Sequence, residues 1–220
     1  MVWGIRAIWG YVFLLATGAA LLALGGESAI GATALPTPDL LPRAVVAVVS
    51  EVPVRRGRIT KAEFRHALLL EAVAAGGRSA PKPGAAGYEK AKVTAIDSLL
   101  ERAWIVGLAA DWGLSVTRAQ VAREVAVIKN ESFKDGAEFR RFLKESRYTR
   151  RDVNERVEIQ MISGQLQRRL SSRIDSETTS HAEEQRAFAE FVAGFQKKWR
   201  GRTVCAPDYV TSSCSNGPAV

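Results

Sequence analysis

Two cysteines and two histidines are all that 220 residues contain, and no G-x-S-x-G, H-E-x-x-H, phosphate-loop or dinucleotide-binding signature occurs. Nucleophilic and metal-assisted catalysis both need a constellation of such groups, so nothing in the sequence argues for chemistry or for a cofactor. A metal site would need more ligands than two thiols and a distant imidazole. His181 directly follows a helix cap and His66 follows Arg65, so each has a structural explanation. Carboxylates such as Glu63, Glu101 and Glu124 fall near helix starts or on polar faces, where dipole compensation and surface pairing account for them.

Basic runs are short as well. No Lys/Arg stretch exceeds two residues, although the formal net charge is +8. Such a balance suits nucleic acid, anionic lipid or acidic polypeptide as a partner. Interleaving of both signs along every helical pattern is equally the mark of a solvated surface. The turn from Ala110 to Val121, with Gly113 inside it and Arg118 and Arg123 beyond, has the outline of a helix-turn-helix. Any capped helix pair gives that outline, and an exported chain never meets a chromosome, so no nucleic-acid partner is expected.

Export is what the N-terminus suggests. Arg6 is the only early charge, and Ala7 to Gly26 supplies twenty uncharged residues. Ala32 and Ala34 form a small-x-small pattern that fits cleavage after Ala34. At roughly 1.5 Å per residue the same run would also span a core of about 30 Å, so a cleaved signal and a membrane anchor both remain open for residues 1–34. Arg43, Arg55, Arg56 and Arg58 weigh against an anchor that leaves the domain outside, since positive charge prefers the cytoplasmic side. No cysteine follows the run, which excludes lipid modification there. Residues 35–42, with Pro36, Pro38 and Pro42, read as an extended spacer.

Only one strongly β-branched run exists, and it predicts a strand over residues 44–49. Val52 to Val54 could continue it, with Arg55 to Arg58 as a loop. Beyond that point the pattern is helical. Four capping boxes mark helix starts at Thr60/Glu63, Thr117/Gln120, Thr149/Asp152 and Ser180/Glu183. Val93, Ile96, Leu100, Ala103, Trp104 and Leu108 recur at steps of three and four, with Leu99, Val106 and Ala109 on a second face. This is the central helix, and Gly113 closes it. A short segment from Ala137 to Glu145 places Phe139, Phe142 and Leu143 inward, and the helix from Thr149 carries Val153, Val157, Met161, Leu166 and Leu170. Gly76 to Gly87 is an exposed connection. Residues 171–180 read as a polar hinge that buries nothing.

The last helix spaces Phe188, Phe191, Val192, Phe195 and Trp199 as one stripe, a core pattern more often than a binding surface. Residues 203–211 predict one or two short strands beside the first, because either alone would leave an open edge. Cys205 and Cys214 are an even pair in an exported chain and read as a disulfide, worth roughly 2 to 3 kcal/mol on the loop-entropy estimate. The fold class is therefore mainly α, a helical bundle with a small β element joining the two ends of the domain. Residues 43–175 would form its body and 176–220 the helix and disulfide loop that complete it.

The order of these elements resembles the N-terminal domain of SurA/PrsA-type extracytoplasmic chaperones and foldases. The likeness runs from about Val45 to Arg173 and is most specific at Leu99-Leu100-Glu101-Arg102, Gly113-Leu-Ser-Val-Thr and Phe139 to Leu143. It departs where the family's Asn-Gly turn gives way to Ser50-Glu51 and the arginine insert, and where a parvulin-type prolyl isomerase domain would follow. The resemblance implies that residues 180–210 are the family's return segment, with the isomerase left out. It further implies an exported or membrane-tethered holdase that binds unfolded or newly exported polypeptides without catalysis. Residual prolyl isomerisation and a membrane-bound scaffold for a single partner are its alternatives. The apolar residues that would line a client groove are not distinguishable from core at this level: Trp104, Phe139, Phe142 and Trp199 suit either.

Overall fold

Val45–Val49 (β1) is the middle strand of a three-stranded antiparallel sheet in the computed structural model, which describes residues 35–218. Expectations that fall on residues 1–34, the signal or anchor and the Ala34 cleavage point among them, lie outside the described residues. β1 is buried on both faces, with Val46 and Ala47 fully covered, which suits a run of β-branched residues without polar alternation.

The segment expected to be a loop is structured. Val54–Gly57 (α1) makes one helical turn, and Arg58–Thr60 (β2) then pairs with β1, Ala47 opposite Ile59 and Val48 opposite Arg58. Two backbone features permit this tight return. Glu51 adopts a positive φ of 64° at the turn, in place of an Asn-Gly pair, and its carboxylate is held by Arg202 at 2.6 Å. Gly57 passes so close to β1 that a Cβ there would sit 2.5 Å from the Val49 carbonyl oxygen.

Lys61–Ala74 (α2), Tyr88–Asp111 (α3), Arg118–Ser132 (α4), Gly136–Ser146 (α5), Arg150–Glu177 (α6) and His181–Gly201 (α7) follow. All four expected capping boxes form, each hydroxyl accepting from the third backbone N–H and each carboxylate or amide reaching back. Such caps contribute about 1 kcal/mol apiece. α5 has a cap of its own kind, Asp135, whose carboxylate accepts from the N–H groups of Ala137 and Glu138 at 2.8 Å. α3 is central, packed against α2, α6 and β1, with Ala95, Ile96, Leu100 and Ala103 buried along it.

The polar hinge expected over 171–180 is confined to Thr178–Ser180. α6 runs unbroken to Glu177, because Ile174 continues the Leu166 and Leu170 row and is buried, while the polar residues between them occupy the exposed side. An Arg173–Glu177 pair at 3.0 Å supports that last turn.

The chain then returns to its beginning. Thr203–Cys205 (β3) pairs with the open edge of β1, Ala47 opposite Cys205 and Val49 opposite Thr203, so both ends of the domain share one sheet. Outside β3, Asn216 replaces a further strand: its side chain accepts from the Cys205 N–H and donates to the Cys205 carbonyl, at 3.2 and 2.9 Å. The new edge is thereby covered. Residues 206–210, expected as strand, instead leave the sheet through a short helical turn, Pro207–Tyr209. Among the described residues no helix is long and apolar enough to cross a membrane.

Candidate functional site: the aromatic row of the last helix

Trp199 is the largest fully buried side chain among the described residues, and the fold is cut to fit it. Gly107, in the middle of α3, leaves the space: a Cβ at that position would lie 2.1 Å from the indole ring. Glycine costs a helix interior about 1 kcal/mol relative to alanine. Here it admits an indole, a far larger apolar surface. Beside it the buried Thr203 hydroxyl accepts from Trp104 Nε1 at 2.8 Å and donates to the Trp199 carbonyl at 2.8 Å, so a polar group in the core has both partners. Arg202 and Lys198 close the outer side, at 5.2 and 5.6 Å from the ring centre.

The disulfide between Cys205 and Cys214 joins the same end of the molecule, with both cysteines fully buried. The loop it closes is tied down further. Thr211 donates to Asp97 on α3 at 2.7 Å, and Arg200 donates to the carbonyls of Cys214, Gly217 and Pro218.

From Trp199 the row climbs α7 toward solvent. Phe195 is half-buried and meets Trp104 edge-on at 6.1 Å; Phe191 stacks on Phe195 at 6.4 Å and leans on Trp112 at 5.7 Å. One turn further Phe188 is 38% exposed. Arg169 on α6 borders this end, donating to the Trp112 carbonyl at 2.6 Å with its guanidinium 5.9 Å from the Trp112 ring. Val192 is half-buried in the same stripe. One sequence pattern thus serves two environments, core at its C-terminal end and a partly open apolar surface at its N-terminal end.

The other aromatic candidates belong to the interior or to a closed cluster. Trp104 and Phe139 are buried. Phe133, Phe139, Phe142 and Tyr148 pack on one another at 5.2 to 6.4 Å, and Lys129 and Arg156 cover Phe139 and Tyr148.

The histidines are placed in structural roles. His66 on α2 lies 2.9 Å from Asp152, the carboxylate that also closes the capping box of α6 with Thr149. Burial alone would raise the Asp152 carboxyl, but hydrogen bonds from the Thr149 side chain and backbone and from His66 outweigh it and hold it below the usual carboxylate range. His181 contacts Glu184 and Gln185 on the surface of α7.

The arginine insert is part of a charged wall. Arg56 of α1 is paired with Glu158 and Glu155 of α6, and Arg151 reaches Glu155 at 2.8 Å and Glu63 at 3.8 Å. Arg102, half-buried behind them, is held below its ordinary value by burial first and by Arg156 second. No group of three or more metal-ligating side chains gathers among the described residues.

A family model described as the SurA-like N-terminal domain matches residues 9–167, well over half of the chain. No curated protein and no solved structure matches it. The match ends inside α6, so α7 and β3 lie beyond it, yet they close the sheet and fill the core around Trp199. Between α6 and α7 the link is Thr178–Ser180, with no isomerase domain placed there. The chain belongs to the SurA-like N-terminal domain family.

Proposed function

We propose that this protein is an extracytoplasmic holdase, exported or tethered to a membrane, that shelters unfolded segments of other polypeptides without altering a covalent bond. The carrying observation is the gradient along α7, from the fully buried Trp199 to the partly exposed Phe188, one turn from the half-buried Phe191 that leans on Trp112. An unfolded client can bury its own aromatic and aliphatic side chains against such a strip, at roughly 25 cal/mol per Å² of apolar surface removed from water. Membership of the SurA-like family is consistent with a chaperone role.

Export is supported by the disulfide, since such bonds persist in oxidising compartments and are rare in the cytosol. Excess positive charge would speed encounters with acidic clients and keep the complex soluble. Dilution of a chemically denatured test protein into buffer, with this protein at several-fold excess, is the test. Suppressed light scattering is expected; scattering unchanged by the excess would reject the proposal.

A further inference from the structure

At the opposite ends of α2 and α5 from their caps, a cleft of about 430 Å³ opens between the two helices. Val73 is its one large apolar lining residue, and Arg78, Arg141, Lys144 and Arg147 line it with Glu145 as the one carboxylate. None of these four side chains has an ion pair or hydrogen bond among the described residues, although Arg141 acts through space on the Asp135 carboxylate at the other end of α5. Elsewhere Arg56, Arg151, Lys198 and Arg202 are each matched with a carboxylate.

Helix C-termini attract cations, so that part of the charge has an ordinary explanation. Four positive groups against one carboxylate leave a surplus of three, and two helix ends of roughly half a negative charge each bring it to about two. A surplus remains. Arg147 adds a second sign: it closes α5 with a φ of +60°, the left-handed position that glycine fills without strain, yet a long cationic side chain stands there and lines the cleft. On the facing side Gly76 takes a φ of +87°, turning the chain so that Arg78 reaches the same space.

The geometry points to a binding site for a compact phosphate-bearing anion. Three guanidinium groups match the paired oxygens of phosphate, and the ammonium adds a point charge. An acidic peptide fits less well, because carboxylates on one side of an extended chain stand about 7 Å apart and would spread beyond a cleft this small. The same chemistry is offered by a free polyphosphate and by the headgroup of an anionic phospholipid.

Titration calorimetry of the full chain with tripolyphosphate at low salt tests the assignment. Saturable binding is expected, weakened at least tenfold in the double variant R141Q/K144Q and unchanged in R118Q/R123Q, which removes the same charge from exposed positions on α4. Equal weakening in both variants, or no saturation, would overturn it, as diffuse attraction to a basic surface behaves that way. So would an octaglutamate peptide that displaces tripolyphosphate at lower concentration than tripolyphosphate itself requires. Sedimentation with phosphatidylglycerol vesicles then separates the two sources. Retention that tripolyphosphate competes away and R141Q/K144Q loses assigns the lipid headgroup, whereas tripolyphosphate binding without such retention assigns a free polyphosphate.

Discussion

The two ends of α7 are written in the same alphabet and do opposite things. At the C-terminal end Trp199 is locked between Gly107, Arg202 and Thr203, next to a sheet whose outer strand is covered and cross-linked. At the N-terminal end Phe188 and Phe191 repeat the spacing, but Phe191 leans on Trp112, itself bordered by Arg169, and Phe188 stays 38% exposed. The difference comes from what the partner element supplies. α3 offers a glycine where the deep ring enters and ends at Asp111, before the row does. Aromatic periodicity therefore reports which face of a helix is apolar, and the neighbouring helix decides how much of that face is closed.

The largest effect should come from the closed end. Trp199→Ala is expected to cost about 3 to 5 kcal/mol, as for other buried tryptophans, and to lower the thermal midpoint steeply. A midpoint within a few degrees of the native one would show that this end is not the anchor. Cys214→Ser should come next, at about 2 to 4 kcal/mol by the usual range for a structural disulfide. Denaturant unfolding under oxidising and reducing conditions measures it, and the native protein in reductant should match the variant.

Acid probes a third contact, at the start of α6. Because the folded Asp152 carboxyl lies below its ordinary value of about 3.9, its contribution is fully present above that pH and is lost as pH falls through the folded value. Asp152→Asn should cost roughly 1 kcal/mol at neutral pH, the scale of an ordinary net hydrogen bond at a partly solvated site, and should flatten the stability profile below about pH 4. An unchanged acid profile would assign that loss to other carboxylates.

Much of this architecture is legible in the sequence because its signals are local. Each capping box needs four consecutive residues, and all four form where Thr60, Thr117, Thr149 and Ser180 place them. The pairing of the first strand with the last follows from needing a partner for an isolated β-branched run. What escapes reading depends on contacts distant in the chain. β2 is three residues long, and Arg58 at its start looks like loop until Gly57 is seen passing under Val49. Ile174 sits alone among polar residues, so the continuity of α6 is evident only from its burial. Gly107 looks like a blemish in a helix until Trp199, ninety-two positions later, fills the space. The cationic cleft joins Arg78 to residues beyond position 140, and no local pattern announces it.

At the open end a smaller loss is expected. Phe188→Ser should cost on the order of 1 kcal/mol, because a ring 38% exposed still has most of its surface covered, well below the cost at Trp199, while reducing the capacity to suppress aggregation. The most direct measurement places a photoreactive phenylalanine analogue at position 188 or at position 118 of the protein and illuminates it with a denatured client. A covalent adduct is expected from position 188 and little from position 118. Equal adduct from both positions, or none from position 188, would contradict a client surface on the open end of α7.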